Sequence, residues 1–557
     1  MVVLVAAGSA CRADTAQPGA PGTGAPVITA AFVNGRIWTG NPSQPDAEAV
    51  ALAGDRIAHV GTSAEIRRQA GAADVVDLGG QFVVPGFIDA HVHFLEGGFR
   101  LMSVQLRDAS TRDEFVARIA AFARSVPPGT WITGGDWDHT LWGGELPRRD
   151  WIDRMTPQHP VWINRLDGHM ALANSAALRA AGVTRQVRDV DGGAIVRDAA
   201  GDPTGLLKDN AMRLVEAKVP PPTDAAKDQA LDAAMRYVSA QGVTTIHNMG
   251  SWDDLEVFAR ARRAGRLATR IYAAVPLRTW ERLRDVVAAG TYGGDGRGDE
   301  WLRIGALKEF VDGSLGSHTA AFSVPFTDSP RDRGLFVNRS DELYGWIAGA
   351  DKARLHVLVH AIGDLANHEL LNMFERAAGE NGPRDRRFRI EHAQHLAPED
   401  IPRFAALGVI ASMQPYHAID DGRWAERVIG SVRIKTTYAF RALLDARAAL
   451  AFGSDWFVAP PTPVEGIYAA VTRRTLDDRH PDGWVPDQKI TMEQALTAYT
   501  RGGAYASFEE TEKGMIAPGM LADLTVIDRD IRAVSPPAIR DARVTRTIIG
   551  GRTVYSR

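Results

Sequence analysis

Phe82-Val83-Val84-Pro85-Gly86-Phe87-Ile88-Asp89-Ala90-His91-Val92-His93 is an apolar run that ends in two histidines one residue apart. Its β-branched content and bounded length predict a buried strand over 82–91. Alternate residues of a strand share a face, so His91 and His93 can both point at one ion. Seven further apolar runs are read as strands, at 243–247, 270–275, 302–311, 355–360, 388–392, 409–414 and 450–455. Helical stretches lie between them. Eight strands alternating with helices predict an α/β chain, a (β/α)8 TIM barrel over residues 82–504. The first gap is far too long for one crossover helix. Residues 94–240 are therefore a large insertion after the first barrel strand, placed to cover the active-site mouth.

Outside the barrel the pattern changes to short strands separated by turn residues, such as Asn34-Gly35, Gly54-Asp55 and Gly550-Gly551. Residues 27–81 and 505–557 are expected to assemble into one composite β-sandwich domain drawn from both termini. The opening, 1–26, is an apolar and small-residue run ending at Cys11, followed by an Ala-, Pro- and Gly-rich linker. It resembles a secretory signal with a lipid-modified cysteine, which predicts export and a lipid anchor at Cys11; a cytoplasmic tail is the alternative. The run is much shorter than the ~20 residues that span a bilayer.

With 557 residues, 45% of them hydrophobic and 24% charged, the chain is long enough for several packed units and is not a disordered one. A formal net charge of -4 removes the electrostatic reason to expect a nucleic-acid partner. A single cysteine excludes an intramolecular disulfide and any thiolate-rich metal site.

The remaining strand ends carry the chemistry. Lys308 lies on the fourth strand, His360 ends the fifth, His392 the sixth and Asp455 the eighth. In a barrel all of these converge on the C-terminal face with His91 and His93. Lysine is rare in this chain, and Lys308 sits between Ala306-Leu307 and Phe310-Val311. A protonated amine does not ligate a cation, but carbamylation by carbon dioxide would make it an anionic carboxylate able to bridge two ions. The plainer alternative is a buried ion pair with Glu309.

Taken together, these stretches resemble the amidohydrolase superfamily, in its amidohydrolase-3 (YtcJ-like) branch. The resemblance is carried by residues 84–93, by Lys308-Glu309-Phe310-Val311-Asp312-Gly313-Ser314-Leu315-Gly316 and by His360-Ala361-Ile362-Gly363-Asp364. Ile390-Glu391-His392, Gly453-Ser454-Asp455 and Pro518-Gly519-Met520-Leu521-Ala522-Asp523-Leu524 complete it. It implies one or two divalent metal ions, with zinc favoured and manganese or iron as alternatives. His91 and His93 would hold the first ion, His360 and His392 the second, with carbamylated Lys308 between them. Asp455 would bind metal and act as the base. The activity implied is hydrolysis of a carbon–nitrogen bond other than a peptide bond, in a small linear or cyclic amide, by metal-activated hydroxide. Deamination, lactone hydrolysis or isomerisation at the same centre is the alternative enzyme reading, and a non-catalytic binding protein on a hydrolase fold is a third.

Substrate contacts are expected from the insertion and the loops. His169, in Asp167-Gly168-His169-Met170, resembles a motif of the branch and is read as a group that orients or polarises a substrate carbonyl, with a structural histidine capping a helix as the alternative. Trp137 and Asp138, with His139 and Trp142, are read as an aromatic lip, with a core cluster as the alternative. His318 stands where relatives carry Arg, so it is included as a substrate contact that departs from the pattern. His247 is read as a support behind the metal ligands; His395, His417 and His480 are left as ordinary residues.

Overall fold

Gly86 divides the first apolar run in two. In the computed structural model, which describes residues 26–165, 170–190 and 193–557, Phe82–Pro85 belongs to a six-stranded sheet and Phe87–Val92 is the first barrel strand. The single strand expected over 82–91 is thus two strands in different sheets. A Cβ at Gly86 would run into the Thr244 side chain of the next barrel strand, so a glycine is needed where the chain crosses from one sheet to the other. Cys11 and the rest of the leader up to residue 25 lie outside the described residues.

Eight parallel strands follow in simple sequential order: Phe87–Val92, Val243–Met249, Arg270–Pro276, Leu302–Phe310, His356–Ala361, Arg389–His392, Ile410–Met413 and Ala449–Phe452. Nearly every residue in them is buried, because helices cover the outside and packed side chains fill the inside. The ring closes through a parallel bridge between Val92 and Trp456, and the Asp455 amide donates to the His91 carbonyl at 2.7 Å. The surrounding helices begin on sequence-encoded caps. Ser251 and Asp254 form a reciprocal capping box on Trp252–Arg263, and Thr223 caps Asp224–Ser239.

The insertion has its own five-stranded sheet, in the order Gly193–Arg197, Pro203–Asp209, Met170–Ala173, Val161–Arg165 and Ile132–Trp137. Phe115, Ile119, Trp151 and Ile163 form a core on one face of it. The helix Phe94–Met102 leaves the first barrel strand and packs on Asp224–Ser239, which returns the chain to the barrel.

Two further sheets make the small β-sandwich. One is Arg56–Gly61, Ala49–Ala53, Ala30–Val33 and Asp74–Asp77; the other joins Phe82–Pro85, Arg36–Trp38 and Asp46–Ala47 to the C-terminal strands Leu524–Ile527, Val544–Ile549 and Arg552–Ser556. Phe32, Val50, Leu52, Val83, Val526 and Ile548 share one core between them. Among the described residues no helix is long and apolar enough to cross a membrane.

A buried ion pair ties this domain to the barrel. Asp523 accepts from Arg270 Nε at 2.7 Å and Nη2 at 3.0 Å, and both side chains are almost fully enclosed. Asp523→Ala would leave a guanidinium buried without its carboxylate, so a loss of about 3–5 kcal/mol is expected. Urea denaturation of the variant measures it; an unchanged midpoint would show that the pair does not fasten the two units.

Candidate metal centre

The last barrel strand delivers Asp455 to the histidines of the first. Ser454 holds Asp89 of the first strand through its amide at 2.8 Å and its hydroxyl at 2.5 Å. This clasp accounts for both the Asp89 of the opening motif and the Ser454 beside Asp455. Asp455 itself takes a left-handed backbone, φ 59°, which turns it out of the strand direction. Its Oδ1 lies 3.5 Å from His91 Nε2 and 3.3 Å from His93 Nε2. Ligands held about 2.1 Å from one tetrahedral ion stand about 3.4 Å apart, so these spacings suit a shared cation.

A second group meets at the same carboxylate. His392, His417 and Asp455 each offer a ligand atom within 4.8 Å of the others, as do His91, His93 and Asp455. The His392 ring lies 4.9 Å from His91 and 4.5 Å from His360, centroid to centroid. Lys308 comes from the fourth strand with its amine 3.6 Å from the centre of the Phe310 ring. All six expected ligands, together with His417, line one cavity of ≈ 410 Å³ at the C-terminal ends of the strands.

Each of three histidines hands one ring N–H to a fixed acceptor. His91 Nδ1 lies 2.6 Å from Glu391, His392 Nδ1 2.7 Å from Gln414 Oε1, and His360 Nε2 3.0 Å from the Gly313 carbonyl. Donation at these atoms leaves the other nitrogen of each ring as a lone pair, the form a metal ligand needs. Burial also depresses the basicity of all three, with His360 down to about 3, so they are neutral at physiological pH. Glu391 is kept ionised in the barrel: burial alone would raise its pKa, but Arg389, 2.8 Å away, and His91 more than compensate. Arg389 is held in turn by His247 Nδ1 at 2.9 Å, which puts His247 behind Glu391 and away from the cavity.

Three buried polar atoms here have no hydrogen-bond partner among the described residues: Lys308 Nζ, Asp455 Oδ1 and His417 Nε2. A buried orphan atom is costly, and three in one cavity imply a missing common partner. Lys308 is not paired with Glu309, which points the other way toward Arg278 at 3.8 Å. Desolvation lowers the Lys308 amine to about 8, against the pull of Glu391 and Asp455. Asp455 is held well below the usual carboxylate range: burial opposes this, and the surrounding His91, His93 and His392 prevail.

The expected substrate contacts fare differently. Trp137 is fully buried in the core of the insertion, edge-on to Phe115 and donating from Nε1 to the Ile163 carbonyl at 3.0 Å, so it forms no lip. Asp138 accepts from Arg165 at 3.2 Å and does not line the cavity. His318 turns away onto Asp328, 3.0 Å from its Nε2, while Ser314, Leu315 and Gly316 of the same loop reach the cavity wall. His169 lies outside the described residues. Residues to which the sequence pattern assigns no role do reach the wall, among them His417, Trp424 and Asp421. His417 follows the seventh strand by one turn of the helix Pro415–Asp421, so its place near a strand end is the signal that could have found it. An outer vestibule, which shares Asp420 and Val458 with the cavity, is walled by Arg100, Arg107, Tyr416 and Phe457.

Known proteins align with this chain over nearly its whole length. The profile of the amidohydrolase family matches residues 74–555. Protein LONG AFTER FAR-RED 3 of Arabidopsis thaliana is 40% identical, over 94% of this chain and 91% of its own. The putative amidohydrolase YtcJ of Bacillus subtilis is 31% identical, over 95% of this chain and 100% of its own. The N-substituted formamide deformylase of Arthrobacter pascens is 29% identical, over 94% of this chain and 98% of its own. Among solved structures, an uncharacterized metal-dependent hydrolase from Pyrococcus horikoshii superposes with a TM-score of 0.76 at 28% identity, covering 91% of this chain and 99% of that one.

Proposed function

The chain belongs to the amidohydrolase family, and from that premise we propose that it hydrolyses carbon–nitrogen bonds outside peptides, in small linear or cyclic amides. The observation that carries the reading is the cavity in which the Lys308 amine, the Asp455 carboxylate and the His417 imidazole are buried together, each with an atom that no described residue satisfies. The name of the Arthrobacter pascens relative points to N-substituted formamides as the first substrates to try.

His91, His93 and Asp455 would hold one divalent ion; His360, His392 and a carbamylated Lys308 would hold a second or share the first. Nitrogen and oxygen donors without thiolate suit zinc, and manganese and iron are the alternatives to test. Bound there, a divalent cation supplies Lewis-acid polarisation of a carbonyl and a lowered pKa for water. Asp455 takes the proton from the water that attacks the substrate carbonyl and returns it to the departing nitrogen, so that amine and carboxylic acid leave as products. Glu391 and Gln414 keep His91 and His392 in the tautomers that present a lone pair. Phe310, Leu315 and Trp424 give the cavity an apolar wall against which the organic groups of a substrate can pack.

Chelator-treated protein is expected to lose hydrolysis of formamides and simple amides, and to regain it on adding zinc or manganese. Elemental analysis should find one or two divalent ions per chain in the active preparation. Full activity in metal-free protein would refute the reading, and turnover confined to lactones or amino-heterocycles would move it to a different reaction.

A further inference from the structure

The barrel has another polar cavity at the end opposite the candidate metal centre. Its volume is ≈ 220 Å³, and it lies where strands begin: Arg303 and Ile304 open Leu302–Phe310, and His356 opens His356–Ala361. Five guanidinium groups line it, from Arg297, Arg303, Arg354, Arg384 and Arg386, against a single carboxylate, Asp385.

The nearby acids do not neutralise this cluster. Arg384 and Arg386 share one buried carboxylate, Asp351. Arg303 reaches Asp295 only at 3.5 Å and at the surface. Asp385 is engaged by Arg387 at 2.9 Å, outside the cavity lining. Arg297 donates to the Arg354 carbonyl at 2.8 Å, and among the described residues neither Arg297 nor Arg354 has a carboxylate partner. The floor residues themselves carry no carboxylate: His356 lies 2.6 Å from the Arg387 carbonyl and 2.9 Å from the Tyr272 hydroxyl, and the buried Glu509 behind them is taken by Lys513 at 2.9 Å.

Guanidinium groups gathered in a recess focus a positive potential, and their planar forks match the oxygens of phosphate and carboxylate. We infer that this recess binds a small oxyanion, with Arg297 and Arg354 as its principal contacts and Arg303, Arg384 and Arg386 completing the ring. The site is independent of the hydrolytic reading, since it lies at the far end of the barrel from Asp455.

Isothermal titration of the metal-loaded full chain with inorganic phosphate, citrate and a sugar phosphate tests it. Saturable binding that weakens with added salt and depends on Arg354 is expected, anion taken by the candidate metal centre being the part that Arg354→Gln leaves unchanged. The three ligands distinguish free phosphate, polycarboxylate and a phosphoryl group on a larger molecule. Arg354 is exposed, so Arg354→Gln should fold normally, and it should weaken binding about 10- to 100-fold, the worth of one charge-assisted hydrogen bond. Arg354→Lys should lose less. Turnover on any amide substrate should not change in either variant. No saturable binding of any of the three anions, or equal affinity in wild type and Arg354→Gln, would overturn the inference.

Discussion

Asp455→Asn is expected to lower kcat by ~10²–10⁴-fold while leaving the fold intact, the range set by loss of a positioned proton-transfer group. The change keeps the size of the side chain and removes its charge. It also keeps the backbone, since asparagine accepts the left-handed conformation that Asp455 adopts at φ 59°. The Asp455 amide bond to the His91 carbonyl, which closes the barrel, does not involve the side chain. Melting temperature should therefore stay close to wild type. Metal content measured on the same preparation separates the two roles of the carboxylate. A fall in kcat at full metal content identifies proton transfer, whereas a parallel loss of metal identifies ligation. Near-normal turnover would remove Asp455 from the chemistry.

Lys308→Arg should abolish most activity, by about 10–100-fold, the scale seen when a group supporting a metal site is lost. Arginine stays protonated and cannot take up carbon dioxide. Wild-type Lys308 is suited to that uptake, because burial brings its amine down to about 8 and leaves a neutral fraction at physiological pH. Its Nζ has no hydrogen-bond partner among the described residues, so no ion pair has to be broken first. Lys308→Ala should recover part of its activity with formate or acetate, which can supply the missing carboxylate. Carbon-13 NMR of wild-type protein loaded with labelled bicarbonate reads the modification directly. An unmodified amine in metal-loaded, active protein would rule the carbamate out.

Much of the site is legible in the sequence. His91, His360, His392 and Asp455 each sit at the end of an apolar run, and a parallel barrel brings all such ends to one face whatever the loops do. Lys308 stands out because lysine is rare here and its neighbours are apolar. His417 does not stand out, because it lies beyond a strand end and only the turn of Pro415–Asp421 brings its ring back toward Asp455. Glu391 neighbours a candidate ligand in the chain, but its task is hidden there; its hold on the His91 ring depends on two strands that are far apart in sequence.

Trp137 and His318 show the converse. Both are residue types that suit a binding surface, yet one fills the core of the insertion and the other folds back on Asp328. The sequence by itself determined the eight barrel strands and the assembly of a small β-sandwich from both chain ends, and it singled out the principal candidate ligands. Those features follow from local periodicity and from a closed topology that leaves few arrangements. Only the tertiary structure decided where the first strand breaks, which way the mouth residues face and which acids fix which imidazoles. Each of these depends on contacts between segments distant in the chain, such as Gly86 against Thr244 and Ser454 on Asp89, and no local pattern encodes them.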